Sequence, residues 1–148
     1  MTETNDVATA YRRHQQALSQ ANKLNKDAVF DALSAANVTS VLADFDGEGD
    51  SGQINNIAAY ANGEIHEIPA VTVEIHRAPW AKDKLDSVTT TLHDAIETLC
   101  YDTLSEEHDG WENNDGAFGE FTFNVAKRSI ELEFNGRFSD VVTTHHTL

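Results

Sequence analysis

Basic side chains, sulfur and proline are scarce in this sequence. Ten Lys and Arg stand against 25 Asp and Glu, and 148 residues hold one cysteine, one methionine and two prolines. Each shortage excludes something. The lone Cys100 cannot close a disulfide within the chain, and it rules out a multi-cysteine zinc site. The deficit of bases leaves a net charge of -15, which repels nucleic acid and anionic membrane surfaces. No apolar run approaches the roughly 20 residues that a membrane helix needs. The opening residues, Met1 to Asp6, show no basic segment followed by an apolar one, so the expected location is the cytoplasm, without a signal peptide.

What is present is a core and an uneven charge map. Apolar residues make up 40% of the chain, enough to bury against one another in one domain-sized unit. Residues 1–36 carry Arg12, Arg13, Lys23 and Lys26 against Glu3, Asp6, Asp27 and Asp31, which balance. The whole -15 therefore lies after residue 36. From Leu85 to Ala126 there is no Lys or Arg at all, while Asp86, Asp94, Glu97, Asp102, Glu106, Glu107, Asp109, Glu112, Asp115 and Glu120 fall there.

Hydrophobic spacing predicts the elements. Val7, Ala10, Tyr11, His14, Ala17, Leu18 and Ala21 recur at helical period, giving a thin, Ala-rich helix over about 4–23. Asn25 is a candidate cap for a second helix through Ala36, with Asn37 suited to the left-handed residue that ends it. From Thr39 the period becomes two. Val41, Ala43 and Phe45 mark an inward strand face, and Asp46 to Gly52 reads as a loop. Ile54–Tyr60 and Glu64–Ile68 flank Asn62-Gly63, a hairpin signal because both residues accept positive φ. Val71, Val73 and Ile75 predict another strand. Leu85, Val88, Leu92, Ala95, Ile96, Leu99 and Leu104 predict a long helix over 81–107, stopped at Asp109-Gly110. Phe121, Phe123 and Val125, then Ile130, Leu132 and Phe134, predict two strands joined at Ala126-Lys127-Arg128. The tail from Ser139 predicts an edge strand or a frayed end.

This order is α+β: a mainly antiparallel sheet of about five to six strands, one long helix on a face, and an N-terminal helical pair. The boundary is drawn at residue 24, with an N-terminal helix over 1–24 and a single α+β domain over 25–148.

Several segments could carry chemistry. Asp44, Asp46, Glu48 and Asp50 alternate on a glycine-rich stretch, as oxygen ligands for Ca²⁺ or Mg²⁺ would. Asn55 stands where an EF-hand requires a bidentate Glu, and a strand precedes the stretch where an EF-hand has a helix. Gly49-Asp50-Ser51-Gly52 spells the tetrapeptide around a serine-protease nucleophile, but no supporting His and Asp motif accompanies it. The seven histidines form no HExxH and no zinc spacing. Neither GxGxxG nor GxxxxGK[ST] occurs, so no phosphate-cradling loop is expected and no cofactor is implied. Trp111 to Glu120 interleaves aromatics with amides, acids and glycines. It reads either as a loop covering the sheet end or as a recognition loop.

Two segments are similar together to a known pattern: Phe45-Asp46-Gly47-Glu48-Gly49-Asp50-Ser51-Gly52-Gln53-Ile54, and Gly110 through Phe123, which closes on Gly119-Glu120-Phe121-Thr122-Phe123. They resemble an uncharacterised family of small acidic bacterial proteins, a domain of unknown function frequent in proteobacterial genomes, plasmids and mobile elements. The resemblance spans about residues 25–143. It implies a bacterial cytoplasmic protein in a mobile-element context, and it brings no catalytic residue.

The expected function is a non-enzymatic interaction protein. Its acidic surface would bind a basic partner, such as a nucleic-acid-binding or host-defence protein, as an inhibitor or nucleic-acid mimic. The candidate contacts are Asp94, Glu97, Asp102, Glu106, Glu107, Asp109, Trp111, Glu112 and Asp115. The alternative is a divalent-cation module on Asp44, Asp46, Glu48 and Asp50. The Ala-rich first helix is a candidate homodimer seam.

Overall fold

In a computed structural model of the protein, residues 3–80 and 84–148 are described, with side chains from residue 7 onward. The first element is one helix, α1 (Glu3–Ala35). The expected helical pair is thus corrected to a single 33-residue helix, about 50 Å long at 1.5 Å per residue. No Gly or Pro interrupts it, and an Asn alone costs too little to break a helix held by packing. Asn25 is no cap. It is 2% exposed, and its side chain holds the backbone of His76, donating to the carbonyl at 2.9 Å and accepting from the amide at 2.6 Å. The helix ends as expected on Asn37, at φ 62°. Val38 N–H reaches the Leu33 carbonyl and Asn37 N–H the Ser34 carbonyl, both at 3.0 Å, which satisfies the last carbonyls of the helix.

Five strands form an antiparallel sheet: β1 (Ser40–Glu48), β2 (Ser51–Ala61), β3 (Glu64–His66), β6 (Ala117–Asn124) and β7 (Ser129–Gly136), in spatial order β3-β2-β1-β6-β7. The Asn62-Gly63 turn has both φ values positive, at 53° and 85°. The supposed loop Asp46–Gly52 is instead the tip of a hairpin. Asp46 pairs with Gln53, Gly47 with Gly52 and Glu48 with Ser51, and only Gly49-Asp50 turns, at φ 59° and 65°. The polarity of that stretch reflects an exposed strand face and says little about backbone pairing.

β4 (Thr72–Arg77) and β5 (Asp86–Thr91) make a separate two-stranded sheet. This corrects the long helix expected over 81–107. Residues 81–83 lie outside the described residues, Asp86–Thr91 is a strand, and α2 covers only Leu92–Glu107, 16 residues. Val88-Thr89-Thr90-Thr91 is a β-branched run that suits a strand. Leu85, Val88 and Leu92 matched helical spacing by coincidence. Thr91 caps α2, its hydroxyl accepting from Asp94 N–H at 3.1 Å. The long helix of the protein is therefore α1, at the N-terminus.

One hydrophobic cluster holds these parts together. Val29, Phe30 and Leu33 of α1, Leu92, Ala95, Ile96, Leu99 and Leu104 of α2, and Val41, Ala43, Phe45, Phe121 and Phe123 of the sheet are among its buried members. Phe30 meets Phe123 with ring centroids 5.9 Å apart. Ile130, Leu132 and Phe134 pack against this cluster half-buried, with Glu131 and Glu133 on the opposite, exposed face. Residues 138–148 are exposed and carry no regular structure.

Candidate functional site

The two motif segments meet in space. Trp111 follows α2 and is 9% exposed. Its ring lies on the cross-strand pair Gly47 and Gly52 of the β1–β2 hairpin. A Cβ on Gly47 would come 2.6 Å from that ring, and one on Gly52 closer still. Both glycines are thus required by a close approach. Phe45 meets the indole edge-on at 5.5 Å. The backbone stitches the same two segments: Gly49 N–H donates to the Asn114 carbonyl at 3.1 Å and Asp50 N–H to the Glu112 carbonyl at 3.0 Å. Trp111 therefore packs in the core, as a loop covering the sheet end would place it, while an edge of the residue still borders the polar hollow beside the hairpin turn.

Arg137 closes this end of the sheet. Its guanidinium makes two 3.0 Å bonds to the Asp46 carboxylate and reaches the carbonyls of Gly47 at 3.2 Å and Ala117 at 3.4 Å. It also lies 4.7 Å over the Phe118 ring. The hydrogen bond to Asp46 holds the guanidinium proton more tightly than usual. Nothing in residues 137–148 singled out this arginine, because its partner lies 91 positions away.

Two of the four carboxylates proposed as cation ligands have other engagements. A register irregularity falls between Asp44 and Phe45, and Asp44 accepts there from Asn56 N–H at 2.8 Å. Asp46 is held by Arg137. Strand alternation separates Asp44, Asp46 and Glu48 by roughly 7 Å at each step, too far to converge on one ion with ligand distances of about 2.3–2.6 Å. Among the described residues, no three His, Cys, Asp or Glu side chains are grouped to hold a metal.

Register places these acids in a different pattern. The outer face of the sheet carries Asp44, Asp46 and Glu48 from β1, Glu120 from β6, and Glu131 and Glu133 from β7. Asp44 stands directly opposite Glu120, and Glu120 directly opposite Glu133. Three carboxylates thus lie in a row across three neighbouring strands, about 4.8 Å apart from strand to strand. Period-two carboxylates at 44, 46 and 48 and at 131 and 133 are visible in the sequence, but the register that aligns them with Glu120 is not.

The acids of α2 are more dispersed. Asp94, Asp102, Glu106 and Glu107 are exposed, as is Asp109 just past the helix end, and Glu97 is half-buried. Asp102 and Glu106 line a cleft of about 460 Å³ between α1 and α2, together with Leu18, Ala21, Asn22, His76 and Arg77. Burial pushes the Asp102 carboxyl above its usual range. Glu106 adds to the rise, and Arg77 partly offsets it. Glu106 accepts a bond from Asn22 of α1. Asp109 and Glu112 border a polar hollow beside the hairpin turn, with Asp50 and Tyr101, whereas Asp115 lies at a separate depression beside Glu48 and Arg137. Ser105 lines both the cleft and the polar hollow, so Asp102, Glu106, Asp109 and Glu112 border adjoining depressions, and Asp115 borders another.

Residues 21–148 match a family of unknown function, DUF6878. The chain belongs to that family. Both motif segments, the Trp111 cradle and the outer-face row of this DUF6878 chain lie inside the matched region, and the first five turns of α1 lie before it. No curated protein and no solved structure matches the chain. Among the described residues, no helix is long and apolar enough to cross a membrane.

Proposed function

We propose that this protein is a small, non-enzymatic interaction protein that binds a basic partner through the outer face of its sheet. The row Asp44–Glu120–Glu133 carries this reading. Like charges directly opposite on neighbouring strands weaken a sheet by roughly 0.2–1 kcal/mol per pair. A row that opposes folding is accounted for if a cationic surface neutralises it. Arg137 offers support from within the chain: a guanidinium already sits on this face, paired with Asp46 and stacked on Phe118. Partner arginines would use the same chemistry, since the planar fork matches carboxylates and lies flat on rings.

The finer reading is an inhibitor that imitates a nucleic-acid backbone for a nucleic-acid-binding or host-defence protein, in a cytoplasmic, bacterial, mobile-element setting. Long-range attraction to the -15 charge would speed such an encounter. The cation-module alternative draws no comparable support, because β1 spreads its carboxylates along the strand.

An arginine-rich peptide titrated calorimetrically into the protein tests this reading. Affinity should fall steeply between low and physiological salt. It should also fall in the triple variant Glu120→Gln, Glu131→Gln, Glu133→Gln by more than in Asp94→Asn, Glu107→Gln on α2. Equal losses from the two sets, or affinity indifferent to salt, would remove the outer face from the proposal.

A further inference from the structure

The apolar stripe of α1 outruns the body it packs on. Ala21, Val29 and Leu33 are buried. Farther toward the N-terminus, His14 meets Trp80 edge-on at 4.8 Å. Beyond that contact the same stripe continues through Tyr11 and Val7, at the i, i+4, i+7 spacing that keeps Val7, Tyr11 and His14 on one face. Tyr11 is 57% exposed, Val7 65% and Trp80 55%. Large apolar side chains thus line an overhang that the other described residues leave exposed.

We infer that this overhang is a self-association seam, covered by the same segment of a second copy running antiparallel. Self-complementarity selects that occupant. A crossing centred level with residue 9 sets Val7 of each copy beside Tyr11 of the other, as a two-fold interface requires. Charge distribution favours the place. Residues 1–24 hold three bases against two acids, which leaves -16 on the remainder. Two such bodies repel, and a crossing at the tips of α1 holds them at opposite ends. The overhang is only about 11 residues, roughly 16 Å of helix. The dimer is accordingly a weak one, seen at high protein concentration.

Sedimentation equilibrium of the full chain from about 10 to 500 µM reads this directly. The mass should climb from 16.3 kDa toward twice that value. It should climb further in 0.5 M salt than in 0.05 M, because salt screens the repulsion between the bodies. The variant Val7→Glu, Tyr11→Glu should stay monomeric throughout with an unchanged circular dichroism spectrum, as both side chains are exposed in the single chain. An Ala10→Cys chain should form an interchain disulfide under mild oxidation, Cys100 being buried. A wild-type chain monomeric at every concentration and salt overturns the inference. So does a dimer that survives the double glutamate variant, and so does an Ala10→Cys chain that stays unlinked.

Discussion

The contact of Trp111 with Gly52 can be tested by a double-mutant cycle. The three heavy atoms nearest a new Cβ at position 52 all belong to the Trp111 ring. Gly52→Ala should therefore act chiefly through that ring, forcing it or the hairpin to shift, at about 1–3 kcal/mol. Trp111→Leu removes most of an indole that is 9% exposed and leaves a partly collapsed cavity. Aromatic-to-Ala changes cost about 3–5 kcal/mol, so the leucine variant should cost roughly 2–3. Combined, the two changes should cost less than their sum, because alanine then fills space that the indole vacated. The expected coupling is about 1–3 kcal/mol. Urea unfolding of the four proteins at pH 7 measures it. For a chain of this size each kcal/mol corresponds to roughly 2–4 °C in Tm. Strict additivity would show that the ring does not sit on the hairpin and would dissolve the physical link between the two motif segments.

Three further outcomes are expected. Asn25→Ala should destabilise the protein by roughly 2–4 kcal/mol, since the amide and carbonyl of His76 both lose their partner in a part-buried setting; a loss below about 0.5 kcal/mol in urea would contradict the buried clamp. The Cys100 thiol, pushed up to about 12 by burial with Glu97 adding to it, should ignore a thiol reagent at pH 8 until the chain unfolds. Its folded value lies above its unfolded one, so its contribution is complete below about pH 8.5 and declines as pH rises toward 12; prompt labelling of native protein would be the contrary result. Asp102→Asn should raise the urea midpoint at pH 7, because burial and Glu106 make the charged form costly. A carboxyl raised on folding penalises the fold above its folded pKa, so the gain should vanish well below about pH 4. A gain that persists at pH 3 would assign the effect to packing.

The elements that could be read from the sequence are those that local rules govern. Val41, Ala43 and Phe45 point inward because a strand alternates, and the Asn62-Gly63 and Asn37 positions accept positive φ wherever they occur. The failures also have local causes. Asn25 resembled a cap because capping and mid-helix Asn look alike until the His76 backbone arrives to bind it. Residues 85–92 satisfied a helical period while their β-branched run favoured pairing with β4. Asp46–Gly52 was polar enough for a loop, yet one face of an edge-exposed hairpin is polar too.

By itself the sequence determined an α+β chain, a charge of -15 confined to residues after 36, most strand faces, and two segments that resemble one family pattern together. These follow from composition, periodicity and turn chemistry, which act over a few residues. Tertiary structure alone decided that Trp111 packs on the β1–β2 hairpin, that Asp44 and Asp46 are bound to Asn56 and Arg137, and that Asp44, Glu120 and Glu133 share a row. Each of those facts joins positions far apart in the chain. Register and long-range packing set them, and no local pattern encodes either.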